Sequence, residues 1–152
     1  MPRPRRSLKV TALRHTGIVV TDLARSLKFY RDLLGLKPWR AMIESGPYID
    51  GVVGLKGAKI KWEKLEVPGG GVVELLQYLS HPRRAPKTRR ADEIGASHVA
   101  FTVPDVTALW REIKRRGLKV HAAPGLSPDG GAKVAYVHDP DGTIVELVQV
   151  MK

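Results

Sequence analysis

Gly142-Thr-Ile-Val-Glu-Leu-Val-Gln-Val150 is the stretch whose reading decides the fold. It follows Asp139-Pro-Asp-Gly142, a strong turn signal: Pro fixes φ, and Asp-Gly tolerates positive φ. After the turn come β-branched and apolar residues with one acid among them, which reads as a buried strand. Along such a strand Ile144, Glu146 and Val148 share one face, and Val145, Leu147 and Gln149 the other. A carboxylate on an apolar strand is costly unless it is paired, protonated or bound to a metal. This one has a twin. Gly71-Val-Val-Glu-Leu-Leu-Gln-Tyr78 repeats the Val-Glu-Leu-x-Gln pattern at an offset of 146 − 74 = 72 residues.

A second pairing runs alongside the first. His15-Thr-Gly-Ile-Val-Val20 precedes Thr21-Asp22-Leu23, and His98-Val-Ala-Phe-Thr-Val103 precedes Pro104-Asp105-Val106, an offset of 98 − 15 = 83. Gly35-Leu36-Lys37 recurs as Gly117-Leu118-Lys119. The chain is therefore an internal duplication of a His-strand, an Asp-capped helix, further strands and a Glu-strand. Each half reads βαβββ. The expected organisation is a loose basic arm at 1–9, a first module at 10–79, a basic linker at 80–95 and a second module at 96–152.

Within each half the local signals agree. The first strand is expected over Val10–Val20. Asp22 is placed to cap a helix whose apolar stripe is Leu23, Leu27, Tyr30 and Leu34, with Gly35 ending it. A second strand is expected over Leu36–Ile43, and Ala58–Val67 alternates like a half-buried strand. Between them, 44–57 is glycine-rich and reads as an irregular lid or rim. In the second half Asp105 caps a helix with Val106, Leu109, Trp110 and Ile113 facing inward. Leu118–Ala123 is expected as a strand, 124–131 as a Pro/Gly loop and Ala132–His138 as a strand.

Composition narrows the class. The chain has 152 residues, 43% hydrophobic and 27% charged, which fits one compact domain. No apolar run approaches the roughly 20 residues of a membrane span, and the basic N-terminus lacks the apolar stretch of a secretory signal. There is no cysteine, so disulfides and thiolate chemistry are excluded. A cytoplasmic location fits these features. The net charge is +11, concentrated in the N-terminal arm and in His81-Pro-Arg-Arg-Ala-Pro-Lys-Thr-Arg-Arg90. Such a field favours anionic small molecules. The loop lacks the interleaved aromatics of a single-strand binder and the spacing of DNA-reading motifs, so a nucleic-acid partner rests on charge alone.

Residues one, three and five along a strand point the same way. His15 shares a face with Gly17 and Val19, and His98 with Ala100 and Thr102, small or apolar neighbours that suit a cavity. If the halves are related by a pseudo-two-fold axis, His15, Glu74, His98 and Glu146 converge. Two imidazoles and two carboxylates suit Zn, Ni, Mn, Co or Fe(II) with positions left open. A single His or Glu on a strand is more often structural, but matched pairs in a duplicated unit are harder to explain that way. His81, His121 and His138 have no repeat-matched counterpart and read as surface or structural.

Taken together, His15-x-Gly-Ile-x-Val, Phe29-Tyr30-x-x-x-Leu34-Gly35-Leu36, Glu74, His98-Val-Ala-Phe-x-Val-x-Asp105 and Asp139-Pro-Asp-Gly-x-x-x-Glu146-Leu resemble the vicinal oxygen chelate superfamily of glyoxalases, bleomycin-resistance proteins and extradiol dioxygenases. The resemblance covers nearly all of residues 12–150. It implies an α+β fold, two paired βαβββ modules forming a cup-shaped mixed sheet with helices outside. It implies that His15, Glu74, His98 and Glu146 are ligands of a divalent metal, in one chain or across a homodimer. It implies that the metal holds two neighbouring substrate oxygens while Glu74 and Glu146 serve as base and acid. The position four after His15 is Val19, and the one four after Glu74 is Tyr78; glutathione-dependent members often carry Arg and Asn there. The opening motif is also similar to methylmalonyl-CoA epimerase, for which Glu44 is placed as a further acid. The leading expectation is a metal-dependent lyase, isomerase or epimerase of a small carbonyl or acyl substrate. An Fe(II) dioxygenase and a metal-free resistance-type binding protein are the alternatives.

Overall fold

The structure is a computed structural model and describes residues 9–86, 89–95 and 97–151. The expected arm at 1–9 therefore lies outside the described residues apart from Lys9.

The chain forms two four-stranded mixed sheets, one from each half. In the first, β1 (Thr16–Val19), β2 (Lys37–Ser45), β3 (Lys59–Glu66) and β4 (Val72–Tyr78) lie in the order β1-β4-β3-β2. In the second, β5 (His98–Thr102), β6 (Gly125–Leu126), β7 (Ala132–His138) and β8 (Ile144–Val150) lie in the order β5-β8-β7-β6. In each sheet the His-strand runs parallel to the Glu-strand and the remaining pairs are antiparallel. A parallel neighbour requires a crossover, and helix α1 (Leu23–Leu27) or α3 (Val106–Arg115) supplies it. Both helices lie outside the sheets. The resulting α+β architecture is the one the family resemblance implied.

The repeated residues explain why each half folds alike. Asp22 accepts a hydrogen bond from the Arg25 N–H (3.0 Å) and Asp105 from that of Ala108 (2.9 Å), as N-caps do. The repeated glutamines also have a role that the pattern alone does not reveal. Gln77 Oε1 accepts from the Leu23 N–H at 2.9 Å, and Gln149 Oε1 from the Val106 N–H at 3.0 Å. Each Glu-strand thus ties down the first turn of its own crossover helix.

One apolar core spans both halves, with Leu23, Leu65, Val73 and Leu75 from the first and Val106, Ile113, Val145 and Leu147 from the second. After Leu27 the first helix widens into a π-helical segment, Lys28–Leu33. Phe29 and Tyr30 of this segment are both buried. The halves are bolted at the Asp-Pro-Asp-Gly turn. Tyr30 Oη donates to Asp139 Oδ2 at 2.8 Å. Asp141 accepts from the Thr21 N–H (2.7 Å) and Oγ1–H (2.6 Å) and from the Arg25 guanidinium. Burial pushes Asp139 above the usual carboxylate range, opposed by the hydrogen bonds it accepts.

Three local expectations are corrected. The first strand begins at Thr16 rather than Val10, so His15 stands just before it. The stretch 44–57 is not wholly irregular. It contains helix α2 (Pro47–Val53), started by Pro at its first turn and ended at Gly54, whose φ of 68° suits glycine. Leu118–Ala123 gives only the bridge Val120↔Val137, and the edge strand β6 falls instead in the expected Pro/Gly loop. No helix among the described residues is long and apolar enough to cross a membrane.

Candidate functional site

Register places the chemistry. Glu74 lies opposite Gly17 on β1, and Glu146 opposite Ala100 on β5. Each opposing residue is two beyond its histidine, so His and Glu project from the same face of neighbouring strands. The side chains meet. His15 Nε2 and Glu74 Oε2 are 2.9 Å apart, and His98 Nε2 and Glu146 Oε2 are also 2.9 Å apart. Two ligands about 2.1 Å from one metal and at right angles are themselves about 3.0 Å apart. Each pair is a direct His–Glu contact whose separation also suits adjacent ligands of one ion.

The structure brings together His15 with Glu74 and His98 with Glu146, each on its own sheet. It does not bring all four together. Among the described residues no group of three or more His, Cys, Asp or Glu side chains is gathered closely enough to hold a metal ion. Among the described residues the chain presents two separate His–Glu pairs. The donor chemistry of an imidazole and a carboxylate in either pair fits a divalent ion.

The neighbours of the two pairs differ. On β3, Lys64 lies opposite Glu74, and its Nζ is 3.4 Å from Glu74 Oε1. The ammonium also stands 4.9 Å from the centroid of the Trp62 ring, whose Nε1–H donates to Glu44 Oε2 at 2.7 Å. On β7, Tyr136 lies opposite Glu146, and its ring centroid is 5.3 Å from that of His98. Burial, and then the charge of Glu146, push the Tyr136 phenol above its ordinary range. The first pair is also the more enclosed, with Glu74 11% and Glu146 21% exposed at the side chain. Sequence reasoning passed over Lys64 and Tyr136, although 136 − 64 = 72 is the offset of the two glutamates.

Of the remaining candidates, Glu44 sits on β2, spoken for by Trp62. His138 is buried, and its Nε2 lies 2.6 Å from His121 Nε2. Burial, then the His121 charge and nearby cations, lower the His138 imidazole to about 4. The Tyr136 ring, 5.8 Å from that of His121, stands between this contact and His98. Helix α2 packs Ile49 and Val53 on Ile60, Trp62, Leu76 and Tyr78, covering one end of the Glu74 face.

The family profile described as Glyoxalase/Bleomycin resistance protein/Dioxygenase superfamily matches residues 12–147. A probable lactoylglutathione lyase of Synechocystis is 33% identical over 138 residues, 90% of this chain and 94% of that protein. Among solved structures, a glyoxalase family protein of Bacillus cereus superposes with a TM-score of 0.86 at 20% identity, covering 98% of this chain and 100% of the other. The trypanothione-dependent glyoxalase I of Leishmania major gives a TM-score of 0.63 at 26% identity, covering 92% and 87%.

Proposed function

The chain belongs to the glyoxalase/bleomycin resistance protein/dioxygenase superfamily, and from that premise we propose that it is a divalent-metal-dependent enzyme of the glyoxalase type. It acts as a lyase, isomerase or epimerase that moves a proton next to two neighbouring oxygens of a small carbonyl or acyl substrate. One observation carries the reading: two repeat-related His–Glu pairs, each with its donor atoms 2.9 Å apart.

In this proposal His15 and Glu74 of one copy and the His98–Glu146 pair of a second copy hold one ion, so the working unit is a homodimer with two sites. When bound, the ion polarises the two substrate oxygens as a Lewis acid. The chain's own groups do the rest. Glu146, whose ion-pair partner among the described residues is His98 alone, takes the proton from carbon and returns it to the neighbouring atom. Glu74, held by both His15 and Lys64, stays in place. Helix α2 keeps water from one end of the face.

The test uses two dead variants, H15A/E74Q and H98A/E146Q. Each alone is expected to purify without stoichiometric metal. Refolded together, half the dimers are mixed and each mixed dimer keeps one intact site, so metal content returns to about a quarter of the native value. Native protein that holds no divalent ion overturns the metal reading. Native metal with no recovery on mixing overturns the shared site.

A further inference from the structure

Ion pairs account for several arginines of this chain. Arg25 meets Asp141, Arg31 meets Asp32, Arg90 meets Asp92, and Arg115 and Arg116 both meet Glu112. Arg83, Arg84 and Arg89 are different. Among the described residues they have no acidic partner, and all three line one cavity of about 480 Å³. Like charges around one cavity repel unless an anion offsets them. Asp141 also borders the cavity, but its oxygens are taken by Thr21 and Arg25.

The loop that carries these cations is held at its start. The Leu79 N–H donates to the Lys59 carbonyl at 2.8 Å, and Ser80 Oγ accepts from the Lys59 N–H and contacts His81 Nδ1, each at 2.8 Å. Pro82 and Pro86 restrict the backbone on either side of Arg83 and Arg84. Guanidiniums on a restricted loop lose less freedom on binding, and their planar forks match phosphate and carboxylate oxygens.

The cavity is also placed to serve the proposed site. Val19 and Tyr78 border it. Val19 is four residues beyond His15 and Tyr78 four beyond Glu74 on adjacent parallel strands, a distance of about 13 Å at ~3.3 Å per residue. A neighbouring cavity, which His98 lines, shares Val19, Arg89 and Thr143 with it.

We propose that this cavity binds the multiply charged anionic end of the substrate, a phosphate or clustered carboxylates, about 13 Å from the reacting oxygens. The substrate is then an elongated carbonyl or acyl compound rather than a bare small aldehyde. The assignment of the substrate rests on the metal-site reading above; binding of the anion does not.

Calorimetry at low salt with inorganic pyrophosphate and with tricarballylate tests this. Native protein should bind at least one of them, with affinity falling steeply as salt rises. The triple variant R83Q/R84Q/R89Q should bind at least about tenfold more weakly, because the charge-assisted contacts are gone. R115Q/R116Q, which removes two charges elsewhere, should bind as native protein does. So should H15A/E74Q, which separates this proposal from the metal site: a failed metal reading leaves pyrophosphate binding intact. Equal binding by the triple variant, equal weakening in R115Q/R116Q, or loss in H15A/E74Q each overturns the proposal. The tighter of the two probes names the end group.

Discussion

Beside Glu74 the next strand carries Lys64; at the matching place beside Glu146 it carries Tyr136. The two His–Glu pairs otherwise share strand order, register and a contact of 2.9 Å. Duplication therefore preserved the donor atoms and let the flanking position diverge. A lysine adds a fixed cation that can hold a carboxylate or meet substrate charge. A tyrosine adds an apolar ring with one hydroxyl and leaves its glutamate freer to move. The difference teaches that two repeat-matched His–Glu pairs can sit in unlike surroundings.

The largest expected effect breaks that match directly. In the metal-loaded protein, Glu146→Gln should lower kcat by roughly 10²–10⁴-fold, the usual worth of a positioned acid–base group. Glu74→Gln should act mainly through metal content, with a smaller loss in kcat once metal is restored. The measurement is kcat at saturating metal for both variants, using a carbonyl substrate that native protein turns over. Equal losses would make the two carboxylates equivalent and remove the role assigned to Lys64.

The second comparison is between turns. Pro68-Gly-Gly-Gly71 leads into β4 with no acid, whereas Asp139-Pro-Asp-Gly142 leads into β8 and grips the first helix through Asp141 and Asp139. Asp141→Ala should cost about 2–3 kcal/mol, because it strips a buried charged acceptor from the Thr21 N–H and hydroxyl. Urea unfolding checks this. A cost within a few tenths of zero would mean that the turn does not join the halves.

These contrasts also show what was legible in the sequence. The duplication was legible because His, Asp, Gly and Glu recur in the same order in both halves, and each recurrence marks a strand face, a cap or a turn. Two-residue periodicity put each His and Glu on a strand face, but it did not say which strands pair, and the pairing is what joins His15 to Glu74 and His98 to Glu146. What escaped was set by packing. Helix α2 forms in a glycine-rich stretch because Ile49 and Val53 find an apolar surface on distant β3 and β4. Phe29 and Tyr30 are both buried in a π-helical segment that no local propensity marks. The separation of the two His–Glu pairs depends on how the modules pack, and strand pattern is silent on that. Gln77 and Gln149 were visible as a repeat, but their caps required the helix to lie over the strand.

A third contrast concerns acid. The second half holds the His121–His138 contact, for which the first has no counterpart. The His138 imidazole lies at about 4 in the folded chain against an ordinary 6.5. The unfolded chain takes up the proton first as pH falls. Stability from this group is therefore complete above about 6.5 and is lost progressively towards about 4. Urea midpoints measured across that window should fall in native protein, and His138→Leu should flatten the slope. An unchanged slope in the variant would assign the acid loss to other groups.

The smallest effect asks whether the two halves are still equivalent where no chemistry has pulled them apart. Gln77 and Gln149 cap α1 and α3 through hydrogen bonds of 2.9 and 3.0 Å. Each satisfies one N–H that the helix cannot, so Gln→Ala at either site should cost about 1 kcal/mol. Near-equal costs in urea unfolding would show that the repeated scaffold still works alike in both halves, which isolates Lys64 and Tyr136 as the point of divergence. A much larger cost at Gln77 would place part of the asymmetry in the helix itself. The first crossover helix is only Leu23–Leu27 before it widens, whereas α3 runs from Val106 to Arg115 with Lys114 and Arg115 in its last turn. The shorter helix has fewer internal bonds to share the loss of one cap.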